Sequence, residues 1–276
     1  MKRTSTSSSV GRLELLLGSV DFVEAARELA VAQGQQRKRC ACKVRFMNRD
    51  AWLKSSSLSG FARWRHAALR CALRTPPPRV REAPNLTWLE ARLFQVPRPL
   101  AAGWLGGAFP SWQFLVTEFV SATPLDAVLR ASARGERAAL LSELARETAR
   151  MHALHFVHRD LYWRNVLVAN EALPRRLVFI DTWRGGERLQ WRGPAYDLAC
   201  LFLEGPSFLT SAEVRAWLRE YTLERVALGD PVRSKKLWPA ANSARRNLLS
   251  RARAEPGRWR VPEPAVQEFD FVAAAR

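Results

Sequence analysis

His158-Arg159-Asp160-Leu161-Tyr162-Trp163-Arg164-Asn165, followed by the apolar run Leu177-Val178-Phe179-Ile180 that closes on Asp181, is the stretch that decides the fold. An aspartate, an asparagine five residues on, and a strand ending in a second aspartate are the parts that phosphoryl transfer requires. One carboxylate aligns an acceptor hydroxyl and takes its proton. An amide oxygen and a second carboxylate hold Mg²⁺ against nucleotide phosphates. Asp160 is the candidate catalytic residue, and Asn165 and Asp181 are the candidate metal ligands, hard oxygen donors suited to a hard cation. Each alone reads as an ordinary loop residue bonding its own backbone. The spacing of the three is what points to chemistry.

The surroundings divide into two textures. Cys42–Phe46, Met47–Asp50 and Ala51–Lys54 read as strand, turn, strand. Leu100–Trp104 and Trp112–Phe119 read as an antiparallel pair around a Gly-Pro turn, and Glu82–Phe94 as a helix from the spacing of Leu86, Leu89 and Leu93. Beyond Phe119, Ala138–Leu154 reads as a helix. Val166–Val168 and Leu177–Ile180 read as two short strands. From Tyr196 to about Leu249 the pattern is helical, with breaks expected at Gly205-Pro206, Gly229-Asp230-Pro231 and Pro239. Residues 1–10 read as a Ser/Thr tail and Leu13–Val31 as a helix. The fold class is α+β, with a small antiparallel sheet in front and a helix-rich part behind. The expected divisions are 1–40 (tail and helix), 41–119 (front lobe), 120–253 (rear lobe) and 254–276 (C-terminal tail).

Composition narrows the partners. A net charge of +18, carried mostly by arginine, favours anionic partners (nucleic acid, phosphorylated small molecules or an anionic lipid surface) or reflects a coding bias toward Arg. Cys40, Cys42, Cys71 and Cys200 have no zinc-type spacing and read as reduced thiols of a cytoplasmic protein. Pro99–Thr117 carries no charge, but its glycines and prolines predict a hairpin rather than a membrane span.

Lysine is scarce: only Lys2, Lys38, Lys43, Lys54, Lys235 and Lys236 occur. Lys54 at the end of a strand is therefore a candidate for nucleotide α/β-phosphates, if a carboxylate fixes it. Glu82 is the chosen partner and Glu90 the rival. His158 reads as a packing residue bonding backbone. Asp197, in Ala195-Tyr196-Asp197-Leu198, reads as a buried acid accepting N–H bonds from the loop. No G-x-G-x-x-G precedes Lys54, so a hairpin without glycines around Gln35–Cys42 covers the nucleotide, or binding is weakened.

H-R-D-L-x-x-x-N with a later metal aspartate resembles the protein-kinase-like superfamily, which implies a bilobal fold, ATP and Mg²⁺. Thr182-Trp183 stands where kinases usually follow that aspartate with Phe-Gly. Only 15 residues separate Asp181 from Asp197, and no Ala-Pro-Glu follows, which leaves little room for a peptide platform. A wider set of segments resembles the lipopolysaccharide core (Kdo/heptose) kinases. It includes Trp52–Lys54, Arg81–Ala83, Val96–Gly103, Phe114–Glu118, His152–Leu154, Val157–Leu167 and Asp197–Ala199. That resemblance implies phosphorylation of a sugar hydroxyl on a lipid-linked acceptor, at the cytoplasmic face of the membrane and without nucleic acid. It implies nucleotide contacts from Lys54, Glu82 and Glu118, with His158, Arg159 and Asp197 supporting the loop. Two other readings stay open: a soluble-substrate phosphotransferase of the aminoglycoside or choline kinase type, and a kinase-like module that binds without catalysis.

Overall fold

A computed structural model describes residues 4–6, 13–17, 39–73, 76–77, 79–106, 109–170, 177–187, 192–254 and 268–275. The chain separates into two units, Met1–Ser121 and Ala122–Arg276.

The first unit is built on a six-stranded antiparallel sheet. Its strands are β1 (Thr4–Thr6), β2 (Leu13–Leu17), β3 (Arg39–Phe46), β4 (Arg49–Ser57), β5 (Pro99–Leu105) and β6 (Trp112–Glu118), in the order β1-β2-β5-β6-β4-β3. β3 and β4 are joined by Met47-Asn48 with φ of 48° and 61°. Two left-handed residues give the turn whose twist matches the flanking strands, so the two-residue link fixes the register Phe46↔Arg49 through Arg39↔Ser56. One face of the sheet buries Phe46, Ala51, Leu53, Ala101, Phe114 and Val116. The other carries Ala102, Trp104 and Leu115, covered by Val80, Ala83 and Leu86. Those last residues belong to, or lead into, helix α2 (Glu82–Glu90), which follows α1 (Gly60–Leu73).

Two expectations for the front of the chain are corrected. Leu13–Leu17 is a strand, where a helix over Leu13–Val31 was expected, and Thr4–Thr6 pairs with it where a tail was expected. A run of four leucines around Glu14 suits either period, and the free edge of β5 decides between them. Leu16 packs on the Ala83–Trp104 cluster. Residues 18–31 of the expected helix and 35–38 of the expected nucleotide-covering hairpin lie outside the described residues. α2 also ends at Glu90, short of Phe94, because Leu93 turns left-handed (φ 62°) and points into solvent.

The second unit opens with β7 (Ala122–Pro124), α3 (Leu125–Ala131) and α4 (Arg134–Ala153). Short strands β8 (Phe156–Val157), β9 (Val166–Ala169), β10 (Leu177–Phe179) and β11 (Gly186–Glu187) follow, in sheets ordered β10-β9-β7 and β11-β8. Helices α5 (Arg192–Glu204), α6 (Ser211–Ala227), α7 (Ser234–Ala254) and α8 (Phe271–Ala274) complete it. α6 starts on a capping box between Thr210 and Glu213. Pro239 does not break the helix as expected but lies inside α7. The buried stripe Leu237, Trp238, Ala241, Arg245, Leu248 and Leu249 holds the helix together despite the missing N–H.

The C-terminal residues return to the core. Phe271 is fully buried, edge-on to Phe202 at 5.2 Å and stacked with Trp238 at 6.3 Å, while Asn242 Oδ1 accepts its backbone N–H at 2.9 Å. Phe271→Ala is expected to lower stability by about 3–5 kcal/mol in urea unfolding, the usual cost of emptying a buried phenyl site. A loss under ~1 kcal/mol would show that this segment does not belong to the core.

Candidate active site

In the first unit, the strand register places the lysine. Lys54 pairs with Leu115 and Leu115 with Ala102, so its side chain projects from the face that α2 covers. There Lys54 Nζ donates to Glu82 Oε1 at 2.8 Å, with the two side chains 14% and 1% exposed. Glu82 is the first residue of α2, where the helix dipole favours a carboxylate, and Pro84 fits the first turn because its missing N–H is not needed there. A polar bracket fixes the approach to the helix. Gln113 Oε1 accepts the Arg79 N–H at 2.8 Å, and Gln113 Nε2 donates to Ser56 Oγ at 2.9 Å. Glu90 is exposed at the far end of α2 and is not the partner of Lys54. Glu118 ends β6 opposite Ala51, its N–H bonded to the Arg98 carbonyl at 2.9 Å.

In the second unit, the loop 158–165 hangs from one buried acid. Asp197 on α5 is fully buried; its Oδ2 accepts the His158 N–H at 2.7 Å and its Oδ1 the Arg159 N–H at 2.6 Å. Arg159 is left-handed (φ 61°), which turns the chain into Asp160. The His158 ring is buried, and its Nε2 donates to the Ile180 carbonyl at 3.0 Å, tying the loop to the residue before Asp181. The Ile180 N–H in turn donates to the Asn165 carbonyl at 3.0 Å. Asp181 itself is left-handed (φ 64°, ψ 40°) and starts a single 3₁₀ turn, Thr182–Arg184.

Asn165 Nδ2 donates to the Asp160 carbonyl at 2.8 Å, which commits the amide nitrogen and leaves its oxygen as the acceptor end. Burial and the Asp181 charge raise the Asp160 carboxyl to about 6, against an opposing pull from Arg184 and Arg164. Two carboxylates that repel one another beside an oriented amide oxygen are a donor set for a hard cation. No group of three or more His, Cys, Asp or Glu side chains converges among the described residues.

The sequence reading missed what lies behind this loop. Asp197 Oδ2 also receives His152 Nε2 at 3.2 Å. His152 Nδ1 meets the Tyr221 hydroxyl at 2.9 Å, and that hydroxyl accepts from Arg225 Nη1 at 2.7 Å. Arg225 ends in an ion pair with Asp230. Burial lowers the His152 pKa, so the ring is neutral, with Nε2–H aimed at Asp197 and Nδ1 accepting from Tyr221. Trp163 is the second anchor: it is buried, its Nε1 donates to the Leu201 carbonyl at 2.5 Å, and Gly205 leaves the space beside its ring. His152 is buried with Thr148 and Met151 at helical spacing, the one local signal that could have found it, whereas His155, expected on that face, is exposed. Nothing local to Tyr221 or Arg225 marked them as its partners.

The fold, an antiparallel-sheet unit and then a helical one along the chain, is protein-kinase-like. The model of the lipopolysaccharide kinase (Kdo/WaaP) family matches residues 34–221, and the chain belongs to that family. It is therefore a kinase that uses ATP and acts on the lipopolysaccharide core. A solved structure of WaaP in complex with acyl carrier protein is similar in fold: TM-score 0.57 and 20% identity, over 85% of this chain and 98% of that one. No curated protein matches the sequence. No helix among the described residues is long and apolar enough to cross a membrane.

The raised Asp160 carboxyl has a signed consequence for stability. A carboxyl near 3.8 when unfolded and near 6 when folded binds its proton more tightly in the folded state. Stability therefore falls as pH rises from about 4 to about 6, and the full penalty is present above that range. Asp160→Asn removes the charge and is expected to raise stability at pH 7 by about 1–2 kcal/mol, after allowance for partial solvent screening. The gain should vanish near pH 4. Urea unfolding at several pH values measures it, and an equal gain at every pH would contradict this electrostatic account.

Proposed function

We propose that this chain transfers the γ-phosphate of ATP to a hydroxyl of Kdo or heptose in the inner core of lipopolysaccharide. The observation that supports this reading is the Asp197-anchored loop, in which Asn165 bonds the Asp160 carbonyl and His158 the residue before Asp181, in a chain of this family. Asp160 orients the sugar hydroxyl and accepts its proton, and a carboxyl poised near 6 is ionised at neutral pH yet basic enough for that task. Lys54, held by Glu82, takes the α/β-phosphates. Glu118 serves nucleotide binding. Asn165 and Asp181 would hold Mg²⁺, which supplies positive charge to the phosphate oxygens when bound. His158, Arg159 and Asp197 keep the loop in register.

The acceptor class is argued from the segment after Asp181. It forms one 3₁₀ turn, then β11 against Phe156–Val157, and α5 begins at Arg192. Contacts there are tight: a Cβ on Gly185 would lie 2.9 Å from the Val157 carbonyl, and one on Gly193 only 2.4 Å from Val157 Cγ2. Such a short, closely packed segment favours a sugar over a peptide acceptor.

Transfer of labelled γ-phosphate from Mg²⁺–ATP to a lipid A–core preparation tests the reading. Wild type should label the glycolipid. Asp160→Ala should lose at least ~10³-fold in rate while keeping ATP affinity within a few-fold, the pattern of a group that acts only in the transition state. Full transfer by that variant would sink the assignment of Asp160, and label on soluble acceptors alone would sink the core-sugar acceptor.

In the same assay Lys54→Met should raise the KM for ATP by ~10-fold or more. It leaves Glu82 buried without its cation, so a loss of about 3 kcal/mol in stability should accompany it. An unchanged KM would remove Lys54 from nucleotide binding.

A further inference from the structure

Helix α1 leaves its outer face without cover. Phe61 and Trp64 are 76% and 63% exposed, and Arg65 and Ala68 are exposed beside them. At about 100° per residue these four positions fall within an arc of roughly 100°, and the buried Ala67 lies outside it, about 60° beyond Trp64. Phe109, 52% exposed, lies at the tip of the β5–β6 connection. Arg63 Nη2 donates to the Phe109 carbonyl at 3.2 Å, and the Leu58 N–H donates to the Ser111 carbonyl at 2.7 Å, so the helix entrance and the connection are tied together. Single exposed apolar residues are commonplace, but two large aromatic rings three residues apart on one helix face form a patch.

The charge of this segment argues for its occupant. From Ala51 to Arg81 the chain has six arginines, at 63, 65, 70, 74, 79 and 81, and no acidic residue. Exposed aromatic rings with an arginine beside them, in a segment rich in arginine and free of acid, are the kind of surface that settles at the headgroup level of an anionic bilayer. We propose that α1 docks the enzyme on an anionic phospholipid leaflet, with Phe61 and Trp64 entering the headgroup region and Arg65 meeting lipid phosphates. This rests on the reading of a lipid-linked acceptor, and it explains how a chain without a described spanning helix would reach one.

Sedimentation of the full chain with vesicles tests the proposal, using phosphatidylcholine alone and phosphatidylcholine with one quarter phosphatidylglycerol. Wild type should bind the anionic vesicles and lose them as salt rises. Phe61→Ala combined with Trp64→Ala should weaken binding at least ~10-fold, and Arg65→Glu should weaken it several-fold. These positions are exposed, so the variants should keep the wild-type thermal midpoint. They should also phosphorylate a detergent-solubilised lipid A–core acceptor at the wild-type rate. Wild-type binding by the double variant, or no vesicle binding by wild type, overturns the proposal. Capture of an acidic acyl carrier protein through Phe61 and Trp64, without vesicle binding, would likewise overturn it and assign the patch to a protein. Inactivity of wild type in detergent would instead strike the catalytic reading and leave the vesicle result standing.

Discussion

A buried carboxylate, Asp197, is the constraint on which the second unit depends. A charge without water must be met by donors, and Asp197 is met by three: the backbone N–H groups of His158 and Arg159 and the ring N–H of His152. Two of these donors belong to the loop that carries Asp160. Satisfying the buried charge and fixing the loop are thus one event. The chain behind it, from Arg225 through the Tyr221 hydroxyl to neutral His152, aligns each donor toward the next acceptor. It spans α4, α5 and α6, so the packing of three helices bears on the position of one backbone turn.

The first unit solves a parallel problem by different means. Lys54 and Glu82 are 28 residues apart, and neither has a local reason to meet. They meet because β4 pairs with β6 in a fixed register, and because Val80, Ala83 and Leu86 seat α2 on the face where Lys54 projects. Apolar burial sets the distance, and the ion pair completes it. Such a pair contributes little net stability, since desolvation offsets much of the attraction, so its effect is to fix where the ammonium points rather than to hold the unit together.

Much of this was legible in the sequence where local chemistry dictates structure. The hairpin around Met47-Asn48, the β5–β6 pair, and the helix–loop–strand run from Ala138 to Asp181 follow from periodicity and turn residues. The roles weighed for Asp160, Asn165 and Asp181 follow from spacing. What was not legible depends on partners distant in sequence. Leu13–Leu17 is a strand because an edge of the sheet is open to it, and Pro239 stays helical because a buried stripe outweighs one missing hydrogen bond. Phe271 is core because Phe202 and Trp238 await it. Tyr221 and Arg225 have no signature apart from the histidine they support, and Trp163 serves as an anchor only through the Leu201 carbonyl and the space at Gly205.

The functional account joins a phosphoryl-transfer loop to a short segment after Asp181 and a strongly basic chain, and its central claim is the identity of the sugar that receives phosphate. Mass spectrometry of core oligosaccharide released after reaction with ATP tests that claim most directly. The account predicts one new phosphomonoester, located by fragmentation on a Kdo or heptose residue and absent when ATP is omitted. Phosphate found only on the lipid A glucosamines, or none on the glycolipid while ATP is consumed on another acceptor, would contradict it.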